Sequence, residues 1–211
     1  MRARILGILQ EGGSAYISGE KISEILGVSR SAVWKHIENL REEGYEIDSA
    51  TKKGYKLISV PDILFPQEIS PGLDTKRLGK SLRHFHVLDS TNEYARVLAE
   101  EGAKEGTVVI AEQQKKGRGR MDRPWFSPRG GIWFSVIFRP PFRPHRAPGI
   151  TLVSTAAVTN ALSIITGLEP LIKWPNDIYI EGRKVGGILT EMRAEMDRIH
   201  YIIQGIGINA N

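Results

Sequence analysis

The segment SGEKISEILGVSRSAVWKHIENL, residues 18–40, predicts two short helices joined by a tight turn. Apolar residues recur at helical spacing from Ile22 to Leu26, and Gly27 ends the first helix. Ser29 is typical of a helix cap. The helix after Ser29 carries an apolar stripe formed by Val33, Trp34, Ile37 and Leu40. This pattern is typical of a helix-turn-helix.

The flanking residues complete the motif. Residues 2–10 have apolar side chains at helical spacing before Gly12 and Gly13. Residues 45–47 and 54–57 are typical of short strands, with a polar turn between them. Three helices followed by a β-hairpin predict a winged helix-turn-helix domain over residues 1–60.

The second helix of such a motif enters the major groove of DNA, and the wing contacts phosphates. The candidate DNA-binding residues are Ser29, Arg30, Ser31, Lys35 and His36 on the helix, and Lys52 and Lys53 on the wing. Residues 1–58 hold nine Lys/Arg and eight Asp/Glu. A module with so little net charge should need a second subunit and a symmetric DNA site. A small helical docking module is the alternative.

The rest of the chain predicts a linker over residues 61–72, where Pro61 and Pro66 interrupt periodicity, and a second domain over residues 73–211. Strands are expected at 84–88, 107–111, 131–138, 178–181, 184–192 and 199–209, and helices at 90–101 and 150–165. Ser90, Thr91 and Asn92 open the first of these helices with a capping pattern. We expect an α+β domain with a mixed sheet.

Positive charge is concentrated in one predicted loop. Residues 115–129 hold six Lys/Arg and one Asp, against a net charge of +5 for the whole chain. Within this segment, Gly117-Arg118-Gly119-Arg120 pairs backbone freedom with guanidinium groups suited to carboxylates and phosphates. In an extended segment both arginines would project to one side. Trp125 adds a flat apolar face. The loop predicts a mobile grip for an anionic small molecule.

A second cluster supports a ligand site. Lys173-Trp174-Pro175-Asn176-Asp177 follows a short apolar strand, and Lys173 suits the neutralisation of two anionic reactants. Lys184 precedes Gly186 and Gly187, and residues 205–209 form a strand interrupted by glycines. Glycines in strands allow a ligand or another backbone to approach closely.

Several classes are disfavoured. The chain has no cysteine, no signal peptide and no run of about 18 apolar residues, so we expect a cytoplasmic protein that does not span a membrane. It also lacks a P-loop. The histidines His36, His84, His86, His145 and His200 have no metal-ligand spacing, so no metal site is expected from side chains alone.

Together these elements, in this order, resemble the biotin–protein ligases. The residues that carry the resemblance are Ser90-Thr91-Asn92, Gly117-Arg118-Gly119-Arg120 through Trp125, Lys173-Trp174-Pro175-Asn176-Asp177, and Lys184 to Leu189. With the leading winged helix, the chain resembles the bifunctional subgroup that also represses the biotin operon. The resemblance covers essentially the whole chain and implies a catalytic domain of the class II synthetase and biotin ligase type.

The resemblance also implies roles for single residues. Biotin would be bound by Ser90, Thr91, Asn92, Gln114, Arg118, Gly119, Arg120 and Lys173. The nucleotide would be bound by Arg123, Trp125, Asn176, Asp177 and Asn209. Lys173, Arg118 and Arg120 would be catalytic. Lys184 is a weaker candidate.

The implied reaction joins biotin and ATP, with Mg²⁺, into biotinyl-adenylate, which then acylates a lysine of a biotin carboxyl carrier protein. The implied regulator is a homodimer on operator DNA, and the adenylate would order loops that favour the dimer. Two alternatives remain open: a biotin-sensing repressor with weak or no ligase activity, and a lipoate-type ligase.

The sequence departs from the family at three places. Gln113 replaces a frequent aromatic residue, and Asp122 replaces a common glycine. The C-terminal β-barrel of the family is not expected, because the sequence ends at Asn211. We therefore expect a chain truncated on that side, with ligase activity in question.

Overall fold

A computed structural model describes residues 1–210 and divides the chain into two compact units, Met1–Gly72 and a second that starts at Leu73. The far end of the second predicted domain, Asn211, lies outside the described residues. Each unit has its own hydrophobic core.

The first unit is the predicted winged helix-turn-helix. Its elements are α1 (Arg2–Glu11), α2 (Gly19–Leu26), α3 (Arg30–Glu42), β1 (Glu46–Ala50) and β2 (Gly54–Ser59). Ser18 and Ser29 cap α2 and α3 by accepting hydrogen bonds from the backbone N–H groups of Lys21 (3.1 Å) and Ala32 (3.2 Å). Gly27 ends α2 in the left-handed region, at a φ of 66°. Local sequence signals therefore set the boundaries of both helices.

Trp34 does not belong to the buried stripe of α3. The core holds Val33, Ile37 and Leu40, whereas Trp34 is 56% exposed. The predicted stripe was therefore too wide, because Trp34 follows Val33 directly and lies about 100° further around the helix. An exposed tryptophan on this helix has no packing explanation within the unit.

The predicted linker is wrong, because residues 61–72 fold onto the first unit. They contain α4 (Pro66–Ile69) and a 3₁₀ turn (Ser70–Gly72). Phe65 is buried and stacks on Tyr45, with ring centroids 6.2 Å apart, and the Tyr45 hydroxyl donates to Glu68 Oε1 at 2.8 Å. Burial of Phe65 and the hydrogen bond to Glu68 hold a proline-containing segment that shows no periodicity.

The second unit is a seven-stranded mixed sheet with two principal helices, as predicted. The strands are β3 (Ser81–Phe85), β4 (Thr107–Ala111), β5 (Ile132–Phe138), β6 (Leu171–Lys173), β7 (Asp177–Ile180), β8 (Arg183–Ala194) and β9 (Ile199–Ile208). Their order is β3-β4-β5-β9-β8-β7-β6, and only β3 and β4 pair in parallel. The helices are α5 (Thr91–Glu100) and α6 (Pro148–Thr166).

The two helices contact opposite faces of the sheet. Ile203 of β9 lies in a core cluster with Ala95 and Ala99 of α5. The next residue, Gln204, hydrogen-bonds Ser154 and the carbonyl oxygen of Ile150, both on α6. Because successive side chains of a strand point to opposite faces, α5 packs on one face and α6 on the other.

The expectation that no segment is long and apolar enough to span a membrane is wrong for the stretch that contains α6. The helical stretch Pro144–Thr166 has 23 residues and a mean hydropathy of 1.5, and few of its residues are buried. Length and composition alone do not make a membrane span, since a helix that packs on a sheet passes the same test. Here α6 also hydrogen-bonds the sheet through Thr151 and Thr190, whose hydroxyls lie 2.8 Å apart.

Tyr45 provides a test of how residues 61–72 are held. Burial, reinforced by the hydrogen bond to Glu68, raises the pKa of the Tyr45 phenol. We expect Tyr45→Phe to lower the free energy of unfolding at pH 7 by about 1 kcal/mol, the usual net contribution of one hydrogen bond.

The same substitution should change the pH dependence. Below pH ~10 the phenol is neutral in both states, so its contribution is fully present; above that, the unfolded phenol ionises and the contribution is lost. The advantage of the wild type over Tyr45→Phe should therefore shrink as the pH rises past ~10. Urea unfolding of both proteins at pH 7 and at higher pH measures it, and a difference that does not change with pH would contradict the assignment.

Candidate active site

The second unit holds a cavity of about 520 Å³ on the α5 face of the sheet. Besides residues of β8 and β9, three sequence-distant segments line it: the start of α5, the loop from Arg118 to Trp125, and the turn between β6 and β7. Of the predicted ligand residues it contains Ser90, Thr91, Asn92, Gln114, Arg118, Gly119, Arg120, Arg123, Trp125, Lys173, Asn176 and Asp177.

Asn209 is the predicted residue that does not line the cavity. Its backbone N–H donates to Val185 O at 2.8 Å, and its side-chain amide donates to Lys184 O at 3.2 Å. Asn209 therefore joins the end of β9 to β8. Lys184, the weaker candidate, does line the cavity.

Glycines on the central strands form the cavity floor. A Cβ on Gly205 would overlap Asn92 Oδ1, and one on Gly207 would lie 2.6 Å from Trp125 Nε1. Gly187, which pairs with Gly207 across β8 and β9, would place a Cβ 3.4 Å from the Trp125 ring. Gly205 and Gly207 exclude a side chain, because the room above them is already occupied by Asn92 and Trp125, whereas a Cβ on Gly187 would make an ordinary contact.

A chain of buried polar groups forms one wall. The Ser135 hydroxyl contacts Thr91 Oγ1 (2.8 Å) and Asn92 Oδ1 (2.6 Å). Gln114 Oε1 accepts from the Thr91 N–H (2.8 Å) and hydroxyl (3.0 Å), while Gln114 Nε2 donates to Ser127 Oγ at 2.9 Å. Ser90 caps α5 by accepting from the Glu93 N–H. A satisfied polar network of this kind fixes side-chain orientation before a ligand arrives.

The Gly-Arg loop is a closed hairpin and not an extended segment. Its ends are joined by the Trp125 N–H to Gly117 O bond (2.8 Å) and the Gly119 N–H to Arg123 O bond (2.7 Å). At the tip, Met121 and Asp122 have φ angles of 57° and 54°. That left-handed conformation gives a physical reason for glycine to be favoured where this chain has Asp122.

The two loop arginines contact different partners. Arg118 Nη2 lies 3.1 Å from Glu93 Oε2 and 3.6 Å from Glu191 Oε1. Arg120 instead donates to the neutral amide oxygen of Asn176 at 3.0 Å. The hydrogen bond from Arg96, with the charge of Arg118, lowers the pKa of the Glu93 carboxyl. Arg118 is therefore held by carboxylates, and Arg120 keeps its charge uncompensated by a close carboxylate in the described residues.

Two lysines line the cavity, and they differ in whether a carboxylate pairs with them. Lys184 Nζ is 2.7 Å from Asp177 Oδ2 and 5.1 Å from the Trp125 ring centroid. Lys173 Nζ lies 5.3 Å from the Tyr179 ring centroid, and the part of the chain that the structure describes gives it no ion pair. Lys173 is thus available to an anion, whereas Lys184 is shared with Asp177.

The described residues contain no cluster of three or more metal-ligating side chains. His84 is buried against Glu112, at 2.6 Å, and stacks edge-on with His86. For a magnesium ion, Asp177 is a carboxylate that lines the cavity, and it pairs with Lys173 across β6 and β7. One carboxylate with substrate phosphates is an ordinary Mg²⁺ donor set.

Sequence reasoning missed the groups that support the wall. Ser135 sits inside a hydrophobic strand, and Glu191 lies 99 residues from its partner Asn92. A serine in an otherwise apolar strand was the one signal present, because a buried hydroxyl needs a partner. Nothing local to Glu191 indicated its contact.

In the first unit a groove of about 700 Å³ lies between α3 and the wing. Of the predicted DNA-binding residues it brings together Arg30, Ser31 and Lys52, and it adds the exposed Trp34. The remaining predicted residues lie outside it: Ser29, Lys35, His36 and Lys53. Ser29 is occupied as the α3 cap, and His36 is half-buried.

Comparison with known proteins gives matches over both units. The biotin/lipoate A/B protein ligase family matches residues 84–209, and a helix-turn-helix domain family matches residues 2–56. The bifunctional ligase/repressor BirA of Bacillus spizizenii is 48% identical over 212 residues, covering 100% of this chain and 65% of that protein. Its Escherichia coli counterpart is 36% identical, covering 98% of this chain and 62% of that protein. The chain thus spans under two thirds of these relatives.

Solved structures of biotin protein ligases are also similar to this chain. The biotin protein ligase of Aquifex aeolicus, in complex with biotin and ATP, is 37% identical with a TM-score of 0.52, covering 61% of this chain and 52% of that one. The Leishmania major enzyme in complex with biotinyl-5-AMP is 28% identical with a TM-score of 0.52, covering 61% and 57%. With the family match over more than half of its residues, this chain belongs to the biotin/lipoate A/B protein ligase family.

Proposed function

We propose that the second unit activates biotin with ATP and transfers the biotinyl group to a lysine of a carrier protein. The observation that carries the proposal is one cavity in which a pre-oriented polar wall meets uncompensated cations. The wall residues Thr91, Asn92 and Gln114 suit the polar head group of biotin. Lys173 and Arg120 suit its carboxylate and the nucleotide phosphates.

The first step brings two anions together. A carboxylate oxygen attacks the α-phosphorus, an O–P bond forms, and pyrophosphate leaves with the electrons of the broken P–O bond. Repulsion between the reactants opposes their approach, so fixed cations stabilise the transition state more than the separated reactants. Lys173 and Arg120 supply this charge, and Asn176 orients Arg120 through their hydrogen bond. Mg²⁺, held by the phosphates and Asp177, would offset the charge of pyrophosphate.

The second step is attack by a lysine amine on the mixed anhydride. The amine nitrogen forms a bond to the biotinyl carbonyl carbon, AMP leaves, and the amine loses a proton. The anhydride hydrolyses easily, so water must be kept from it. We assign this to the hairpin 117–125 and to Trp125, which covers the glycine floor. The acceptor is a biotin carboxyl carrier protein.

For the first unit we propose sequence-specific DNA binding as a cytoplasmic homodimer that acts as a repressor. The groove beside α3 presents a guanidinium, a hydroxyl and an aromatic face together. Arginine and serine read base edges, and an aromatic ring contacts a thymine methyl. Because the unit has little net charge, one copy gains little from the DNA phosphates. A symmetric dimer doubles the number of contacts.

The two activities are linked by a shared ligand in this proposal. A ligand that binds the closed hairpin better than the open one shifts the population toward the closed form. If the dimer favours that form, biotin and ATP tighten operator binding by the same coupling free energy.

A substitution of Lys173 tests the ligase. The chain is incubated with biotin, ATP and Mg²⁺, and biotinyl-adenylate is measured by mass spectrometry. We expect Lys173→Ala to form it about 10²–10³ times more slowly, the usual loss for one charge-stabilising group. Lys116→Ala is the matched control, because Lys116 pairs with Asp89 outside the cavity.

The outcomes separate the proposals. No adenylate from the unchanged chain would overturn the ligase activity, and adenylate formed from lipoate in preference to biotin would indicate a lipoate-type ligase. An unimpaired Lys173→Ala variant would overturn only the role of that lysine.

A methyl group on the cavity floor tests the wall. Gly205→Ala forces Asn92 to move, so biotin affinity measured by calorimetry should fall tenfold or more, roughly the loss expected when a fixed hydrogen-bonding group is displaced. Gly149→Ala is the control, since a Cβ there meets nothing within 4 Å. Equal biotin affinity in Gly205→Ala and the unchanged protein would contradict the role of Gly205 in positioning Asn92.

The DNA proposal is tested on duplexes selected from a random-sequence library by the unchanged chain, with biotin and ATP present. Arg30→Ala and Trp34→Ala should each weaken binding by about tenfold, in line with one lost base contact. Ile25→Ala is the control, because Ile25 is also exposed but lies outside the groove. If no sequence is enriched from the library, DNA recognition is contradicted. Equal DNA affinity with and without biotin and ATP would contradict the coupling between ligand and DNA binding.

A further inference from the structure

Glu191 divides its two carboxylate oxygens between the cavity wall and the hairpin. Oε2 accepts from Asn92 Nδ2 at 2.6 Å, and Oε1 lies 3.6 Å from Arg118 Nη2. Glu191 lies on β8 on the face that carries Leu189, which lines the cavity, but Glu191 itself is not among the lining residues. It is therefore placed to act on a ligand through Asn92 and Arg118.

Toward the wall, Glu191 fixes which way the Asn92 amide points. The Asn92 oxygen accepts from Ser135 and lies directly over Gly205, whose lack of a Cβ gives it room. With Glu191 accepting one amide hydrogen, the second N–H hydrogen remains for a ligand acceptor. Reversal of the amide would set its oxygen against the Glu191 carboxylate, which is unfavourable.

Toward the hairpin, Glu191 and Glu93 both pair with Arg118, and Asp122 lies 3.9 Å from its other terminal nitrogen. Arg118 is 3.1 Å from Glu93 and 3.6 Å from Glu191. The Glu191 carboxylate lies beside Arg118, which lines the cavity, so its charge is close to a ligand anion that contacts Arg118. An incoming carboxylate therefore meets a competitor for Arg118 and a like charge beside it.

We propose that Glu191 is a positioning residue that orients the Asn92 amide and, with Glu93, holds Arg118 until an anionic ligand replaces them. The inference rests on the proposed function, since it takes biotin as the ligand. The Glu191 side chain then has two opposite effects on biotin. The hydrogen bond to Asn92 supports the recognition of the head group, whereas the negative charge weakens the binding of the carboxylate.

Two probes separate these effects: biotin, which is an anion, and biotinamide, its neutral amide. Calorimetry on the full chain gives both affinities. Glu191→Gln keeps an acceptor for Asn92 but removes the charge. Biotinamide affinity should stay within about twofold, and the ratio of biotin to biotinamide affinity should rise by about three- to tenfold, because one screened like charge is removed.

Glu191→Ala removes the acceptor as well. Biotinamide affinity should then fall by about tenfold, as expected for loss of a charge-assisted hydrogen bond, while the affinity ratio rises as in Glu191→Gln. Glu93→Gln is the matched control: it removes another carboxylate beside Arg118 without touching Asn92. It should raise the ratio and leave biotinamide affinity unchanged.

A merely structural role for Glu191 predicts a different result, namely that both probes weaken equally in Glu191→Gln and Glu191→Ala. That result, or an unchanged biotinamide affinity in Glu191→Ala, would overturn the inference alone. Failure of the unchanged protein to bind either probe would overturn the proposed function, and the inference with it.

Discussion

The absence of side chains at Gly205 and Gly207 is the constraint on which the site depends. Both lie on one face of β9, at the centre of the sheet, and each has a side chain directly above it, Asn92 over Gly205 and Trp125 over Gly207. Asn92 and Trp125 can approach the backbone only because nothing projects from it. A residue with a Cβ at either position would displace the wall or the tryptophan, and the cavity would lose its shape.

The two faces of β9 explain how a rigid sheet holds a polar site. On the α6 face, Gln204 is completely buried and bonded to α6 and to Thr190 of β8. On the α5 face, Ile203 packs into a hydrophobic cluster just before the glycine floor begins. The strand is thus fixed from both sides within a few residues of the cavity. Side chains set on such a strand keep their geometry without a ligand.

The parts of this structure that sequence predicts are those set by local chemistry. Ser18, Ser29 and Ser90 each cap the helix they precede, because a cap is decided within three residues. Phe65 was missed because one long-range aromatic contact carries no periodic signal.

Sequence patterns predicted neither the exposure of Trp34 nor the contact of Glu191. Periodicity gives the direction of a helix face but not its width, so an apolar residue at the edge of the stripe was assigned to the core. The carboxylate of Glu191 meets Asn92 across 99 residues through the assembled sheet, a contact that no spacing rule encodes. The cationic loop was recognised by composition, yet its hairpin shape follows from backbone bonds that composition does not contain.

The charges of the cavity show why a basic loop need not bind every anion strongly. Arg118 and Lys184 already have carboxylate partners, so for them an anionic ligand exchanges one ion pair for another and gains only the difference. Within the described residues Lys173 and Arg120 have no close carboxylate to give up, so an anion gains more from them. Selectivity then lies in position: an anion must reach Lys173 and Arg120 while its neutral part satisfies the wall at Asn92. Net charge attracts anions to the site, and the pairing of each cation decides which of them stays.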